Sequence, residues 1–457
     1  MKKFKKFLKA AAFVIAFVLI FNVVSDALVC PNDYRNWQWV GEFYEAEENS
    51  LDAVYIGSSA VYAFWSPSLA WKENGIAVWN YTTGRQPLLA AKYIIEDCRK
   101  TQKDALYIIN LNRVASDYNE ASIHYLLDYM PLSVNKLKLT KALCDGLKIE
   151  NEDRLEYYFP LEIYHSRWNS LTIKDFSYEP DGTKGSANYY SFLRKSVEDP
   201  EDKIASTEGI TEFDEFYLNA LKELLDYCDE NEVNVLFTVN PQLSDVGDRY
   251  GDVAYAKKLI EEKGYPIVDY WENVEETGLD IPQDFYNDRH TNIHGAIKMT
   301  KLLSAYLVEN YDFEDKRGKE GYEDWDKSFD IYYNDVIGSA TVEIEFETEN
   351  RDYTLSAPGG LEGYYDQTEN KVSFTGVEGA EGYKVFRKTL NNKKSTQSNY
   401  RELLTLENGE TSFSDSEFND RRDGTYSFNY VIVPYRTVDG VQKYGNFKYS
   451  GVTVKVG

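Results

Sequence analysis

Up to about residue 310 the chain alternates between short apolar runs and amphipathic helical patterns, and few folds satisfy that alternation. The runs at 53–56, 105–110, 233–239 and 266–270 have the length and content of buried strands. Between them lie helical patterns, the clearest from Glu212 to Asp229. There Phe213, Phe216, Tyr217, Ala220, Leu221, Leu224, Leu225 and Cys228 recur at three- and four-residue steps. Strand and helix in alternation predict an α/β domain on a parallel sheet, a three-layer arrangement. Each strand ends in a polar turn, at Gly57-Ser58-Ser59, Asn112-Arg113, Asn240-Pro241 and Trp271-Glu272. Ligands in such sheets gather outside the carboxyl ends of the strands, so these turns are the candidate site.

The alternation fails between 118 and 206, a polar, tyrosine-rich segment with Pro180, Gly182 and Gly185. It reads as a helical or loop insertion, a lid over the strand ends. After Asp335 the character changes to β-rich runs, such as 371–375, 383–387 and 426–435, separated by turns bearing Gly and Asn. The expected organisation is an α/β domain over 31–335, a connector at 336–355 and a small all-β sandwich over 356–457.

Residues 1–30 form a leader. Lys2, Lys3, Lys5, Lys6 and Lys9 precede an apolar run from Ala10 to Val24, the charge layout of an export signal whose positive end stays inside. A retained anchor is the favoured reading, because the run to Val29 approaches the ~20 residues that span a bilayer. Secretion after cleavage near Ser25-Asp26-Ala27 is the alternative. The body is placed outside the cytoplasm either way. Net charge is −26, with Lys+Arg 50 against Asp+Glu 76, which excludes a nucleic-acid binder built on a broad basic face. Subtracting the lysine-rich leader makes the exported part more acidic still. Such a surface suits neutral sugars or cationic partners better than an anionic glycan. Tyr 38, Phe 23 and Trp 8 speak first for strand packing and second for sugar-facing surface. Cys30, Cys98, Cys144 and Cys228 lack the spacing of a metal cluster or disulfide framework.

Two motifs carry chemistry. Ser59 follows a strand, and Gly57 lets the chain turn sharply there, so its hydroxyl can project at the sheet edge. Far downstream, the segment from Asp284 to Ala296 holds His290 and His294, two of the chain's 4 His. No Cys or carboxylate series accompanies them, so a metal site is not assigned. A serine hydroxyl is a poor nucleophile near neutral pH until a histidine takes its proton, which makes this the informative pair.

Together the two ends resemble the SGNH hydrolase superfamily, and within it the membrane-anchored branch akin to the lipoteichoic-acid D-alanylation and alginate O-acetylation proteins. The resemblance covers roughly residues 52–325. It implies Ser59 as nucleophile in Gly57-Ser58-Ser59, with an oxyanion hole from the Ser59 and Gly84 N–H groups and Asn112. His290 is the implied base in the pattern His-x-Asn-x-x-Gly, formed here with Asn292 and Gly295. The family sets an Asp three residues before the His. This chain has Asn287 there, leaving Asp288 as first choice for the orienting acid and Asp284 as second. In the insertion, His165, Arg167 and Trp168 resemble a segment that recurs in anchored proteins of this kind. They are candidate substrate contacts, with an aromatic staple as the competing role.

The C-terminal part resembles a bacterial fibronectin type III module, through Gly379-Ala380-Glu381-Gly382-Tyr383-Lys384-Val385-Phe386-Arg387. The SGNH resemblance implies an extracytoplasmic serine esterase or O-acyltransferase acting on acyl esters of cell-surface or extracellular polysaccharide, without a cofactor. A membrane-bound O-acyltransferase is the implied partner. A non-catalytic glycan-binding or scaffolding protein with a degenerate domain is the alternative.

Overall fold

Strands β1 (Ala53–Gly57), β2 (Val78–Thr82), β3 (Leu106–Asn110), β4 (Val235–Val239) and β5 (Ile267–Asp269) form one parallel sheet in the order β2-β1-β3-β4-β5. The computed structural model describes residues 2–29, 40–115, 118–159, 161–171, 182–186, 214–243, 250–332, 350–352, 354–391, 396–397, 400–418, 425–446 and 451–456. Cys30, most of the connector at 336–355 and the insertion beyond 186 lie outside these.

The helices, in chain order, are α1 (Lys2–Leu28), α2 (Ser59–Tyr62), α3 (Pro67–Asn74), α4 (Ala91–Cys98), α5 (Glu120–Leu127), α6 (Val134–Gly146), α7 (Leu155–Tyr158) and α8 (Leu161–Tyr164). They continue with α9 (Glu215–Glu230), α10 (Tyr250–Glu262), α11 (Ile281–Asp284), α12 (Ile293–Asn310) and α13 (Glu323–Tyr332). Successive strand residues point to opposite faces, and both faces of this sheet are covered. Val54 and Ile56 of β1, with Tyr107 and Ile109 of β3, enter one apolar cluster with Ile94 and Ile95 of α4 and Leu221, Leu224 and Leu225 of α9. Ala53, Tyr55, Leu106 and Ile108 enter the other, with Met299, Leu303 and Leu307 of α12. That is why the strands read as unbroken apolar runs. Cys98, Cys144 and Cys228 are buried free thiols whose pKa values are all pushed up by burial.

The first part of the insertion is core. Ile123, Leu126 and Leu127 of α5 and Leu139 and Leu143 of α6 are fully buried in the α4–α9 cluster. A second part, 182–186, is latched to the body. Asn80 on β2 donates through Nδ2 to the Gly185 carbonyl at 3.0 Å, and the Ser68 hydroxyl donates to the Thr183 carbonyl at 3.0 Å.

Helix α1 is 27 residues long and exposes Phe7, Phe13, Ile15, Phe17, Ile20 and Val23. Among the described residues no helix is long and apolar enough to cross a membrane; the side chains at 2, 3, 18, 19, 22 and 26 of α1 lie outside that set.

Two short strands, β6 (Phe285–Asn287) and β7 (His290–Thr291), form an antiparallel hairpin. The C-terminal region is antiparallel and all β: β8 (Gly359–Tyr365), β9 (Asn370–Thr375), β10 (Gly382–Asn391), β11 (Thr396–Gln397), β12 (Arg401–Glu407), β13 (Ser412–Asp415), β14 (Tyr426–Val438), β15 (Val441–Tyr444) and β16 (Val452–Lys455). A three-stranded sheet, β13-β9-β8, faces a six-stranded sheet centred on β10 and β14. Phe374 and Phe413 from the first meet Val385, Phe428, Tyr430 and Ile432 from the second in one core. The alternate residues Phe386, Val431 and Val433 point the other way, into a cluster with Leu69 of α3, Ile293 and Ile297 of α12 and Tyr332 of α13. The β region is therefore docked on the α/β body through the outer face of its larger sheet.

Candidate functional site

In the order β2-β1-β3 the chain leaves β1 towards one side and later passes to the other, so the carboxyl ends of β1 and β3 flank the crevice where such sheets bind ligands. Gly57 ends β1 there. A Cβ on it would lie 2.5 Å from Val61 Cγ2 and 3.0 Å from Asn110 Cβ, so only glycine lets α2 start so close to β3.

The two serines that follow do different work. Ser58 is buried and caps α2, its hydroxyl accepting from Ala60 N at 3.3 Å. Ser59 is the first residue of α2 and is partly exposed. As at any helix start, its N–H has no intrahelical acceptor.

Three tethers bring the remaining candidates to this edge. The Thr83 N–H donates to the Gly57 carbonyl at 3.4 Å, which sets the turn carrying Gly84 beside the end of β1. Asn240, just past β4, donates through Nδ2 to the Ala60 carbonyl at 2.6 Å. The Thr291 hydroxyl donates to the carbonyl of Ala63, whose own N–H returns to Ser59 O at 3.1 Å. The residue after His290 is thus bonded to the end of the helix that Ser59 begins.

Asn112 is largely occupied with structure. Its Oδ1 accepts from Asn110 Nδ2 and from Asn240 N, each at 2.8 Å, and its Nδ2 donates to Asn240 O at 2.7 Å. One Nδ2 proton remains for a ligand. Asn110 supplies the amide that holds Asn112 in this role.

The hairpin defines the histidine. Asn287 and His290 are paired across it, with Asp288 and Arg289 forming the two-residue turn. His290 Nδ1 meets Asn287 Oδ1 at 2.9 Å, so Asn287 occupies the place expected for Asp288 or Asp284. Asp288 sits in the turn, where its carbonyl accepts from Leu243 N at 2.9 Å. Asp284 is fully buried and engaged elsewhere, its Oδ2 accepting from Lys298 Nζ at 2.8 Å and from Asp280 N at 2.5 Å. Burial, and secondarily the Arg289 charge, push the His290 pKa down to about 4. The imidazole is therefore neutral at pH 7 and able to accept a proton.

The rest of the His-x-Asn-x-x-Gly pattern builds the scaffold. Asn292 caps α12, its Oδ1 accepting from His294 N at 2.9 Å and Gly295 N at 3.3 Å. A Cβ on Gly295 would lie 2.5 Å from the Asp284 carbonyl and 2.7 Å from the Thr291 side chain. Glycine is what lets α12 press against the hairpin. His294 is buried in α12, and no group of three or more His, Cys, Asp or Glu placed to hold a metal ion occurs among the described residues.

His165, Arg167 and Trp168 belong to a different neighbourhood. Arg167 donates to the Leu28 carbonyl at the end of α1, Phe159 packs edge-on against Phe21, and Trp168 is 69% exposed. The contacts of this segment tie the insertion to the leader helix.

No family model matches the chain, and no curated protein matches it. Among solved structures, a Fn3-like protein from Clostridium thermocellum is similar at 18% identity, over 22% of this chain and 94% of its own, with a TM-score of 0.16. Likeness at that level decides nothing about the site.

Proposed function

We propose that this protein is an SGNH-type serine esterase or O-acyltransferase acting outside the cytoplasm on acyl esters of a cell-surface or extracellular polysaccharide. The observation that carries this reading is the tethering of Ser59, with its open N–H, to a hairpin that holds a neutral histidine through Nδ1.

In this chemistry His290 Nε2 takes the proton from Ser59 Oγ as the Oγ–carbonyl bond forms. The oxyanion draws on the N–H groups of Ser59 and Gly84 and the remaining Asn112 proton, each worth about 3–4 kcal/mol at best. Collapse breaks the ester C–O bond, and the leaving alcohol receives the proton from Nε2. The acyl-enzyme then passes to water or to a sugar hydroxyl. No metal or cofactor enters.

Helix α1, with its exposed apolar side chains, serves in this reading as a membrane anchor. A membrane-bound O-acyltransferase would be the natural acyl donor for transfer, and the C-terminal region would be a fibronectin type III-like module. After alkaline extraction the full chain should stay with the membrane and a chain lacking residues 1–30 should not; release of both discards the anchor.

One observation favours a second reading, a non-catalytic glycan-binding or scaffolding protein: a neutral amide stands where a carboxylate would stabilise the imidazolium. A covalent serine-directed probe separates the two. Labelling abolished by Ser59→Ala and by His290→Ala, with loss of small acetyl-ester turnover by roughly 10³-fold or more, is expected of the enzyme. Absence of labelling across a broad probe panel leaves the binder.

A further inference from the structure

We infer that Asn287 is a positioning residue that holds His290 in its Nδ1–H tautomer, through an amide whose orientation is fixed by the backbone N–H of Arg289. An asparagine beside a histidine is ambiguous, because its amide can present either oxygen or nitrogen to the ring. Presented through nitrogen, it would leave the proton on Nε2, the wrong nitrogen for a base. That is how an Asp-to-Asn change in a serine-protease triad costs about 10⁴ in turnover. Here the ambiguity is removed locally. Asn287 Oδ1 accepts from the Arg289 N–H at 2.9 Å, and a backbone N–H can only donate. The oxygen must therefore lie on the side facing Arg289, and the same oxygen is 2.9 Å from His290 Nδ1. An amide oxygen can only accept, so Nδ1 must carry the proton and Nε2 keeps its lone pair.

The hairpin makes the lock possible. The irregular register between Phe285 and Asn287 pairs Asn287 with His290, and the two-residue turn brings the Arg289 N–H back to the same oxygen, an Asx-turn. Asn287 thus supplies one function of a triad acid, choice of tautomer, without the other, charge stabilisation of the imidazolium. The Arg289 charge acts on His290 as well, and it opposes protonation.

The consequence for rate rests on the proposed Ser59–His290 chemistry, whereas the tautomer does not, so the test reads them separately. The full chain carries 4 His, few enough to assign with [¹⁵N]histidine labelling and a His290→Gln reference. Long-range ¹H–¹⁵N spectra at pH 7 should show His290 protonated on Nδ1 in the native chain and moved towards the Nε2–H form in Asn287→Ala. In Asn287→Asp, Nδ1–H should persist while the His290 pKa rises by about 1–3 units. Probe labelling of Ser59 at pH 7 should then rise roughly 10-fold in Asn287→Asp and fall at least as much in Asn287→Ala. An Nε2–H signal in the native chain, or a tautomer unchanged in a folded Asn287→Ala, overturns the inference. A native Nδ1–H lost in Asn287→Ala, with no labelling of Ser59 in any variant, upholds the lock and discards the enzyme.

Discussion

Ser58 and Ser59 are chemically identical and one peptide apart, and their environments divide the labour between them. Ser58 spends its hydroxyl on a helix cap, whereas Ser59 keeps both hydroxyl and N–H at the sheet edge. The same principle governs His290, whose depressed pKa follows from burial beside a neutral amide and an arginine. A histidine neutral down to about pH 4 gives two linked pH effects. As the base it should keep Ser59 labelling nearly constant from pH 7 to about pH 5, with loss only as pH approaches 4. For stability the sign is the same: the unfolded chain binds a proton below about pH 6.5 that the folded chain refuses until about pH 4. Stability contributed by the neutral ring is complete above pH 6.5 and is lost as pH falls between those values. His290→Gln should remove that component of the slope in equilibrium unfolding. A labelling profile that breaks near pH 6.5 would place the ring in an open, solvated setting instead.

At the scale of elements, the last motif is a joint as much as a catalytic signature. The hairpin β6–β7, the Asn292 cap and the first turn of α12 meet in van der Waals contact, and Gly295 sets the closeness of that contact. Asn292→Ala should cost about 1 kcal/mol through the lost cap. Gly295→Ala should cost about 1–3 kcal/mol, because the added methyl meets backbone at Asp284 and must push the helix away. Since that displacement moves the hairpin, Gly295→Ala should slow Ser59 labelling more than its stability loss explains. Equal stability and labelling in Gly295→Ala and the native chain would show that the joint yields freely. The insertion is read differently by sequence and structure for a related reason. Its polar, tyrosine-rich composition suggests a lid, yet Ile123, Leu126, Leu139 and Leu143 bury their apolar stripe against α4 and α9. Only the spacing of those few residues carried that signal.

For the molecule as a whole, the C-terminal region is more than a spacer. Strand β14 is buried on both faces, Tyr430 and Ile432 towards the sandwich core and Val431 and Val433 towards α3, α12 and α13. Ile293, in that contact, lies three residues from His290, so the β region supports the helix that follows the candidate base. Phe386→Ala removes a ring from the docking face while leaving the sandwich core alone, and should cost about 3–5 kcal/mol. It should lower the unfolding midpoint of the α/β body as well. If the two parts unfold independently and the body's midpoint is unmoved, the contact contributes nothing to it. The continuous apolar run Tyr430-Val431-Ile432-Val433 was the available clue, since an antiparallel strand facing water on one side should alternate.

Periodicity determined the α/β plan and the β-rich ending, because burial on one face or two writes itself directly into residue order. It also placed Ser59 and His290 at turns following strands or preceding a helix. Which groups touch within those turns was decided only by tertiary structure. Asp288 was the better acid by charge, but it stands in the two-residue turn, and the hairpin register sets Asn287 opposite the ring. Arg167 suited a sugar by chemistry, and only the fold shows that it donates to the carbonyl at the end of α1. Hydrogen-bond partners, whether as near in sequence as Asn287 and His290 or as far apart as Ala63 and Thr291, are fixed by register and by the path of the chain, and composition holds no record of either.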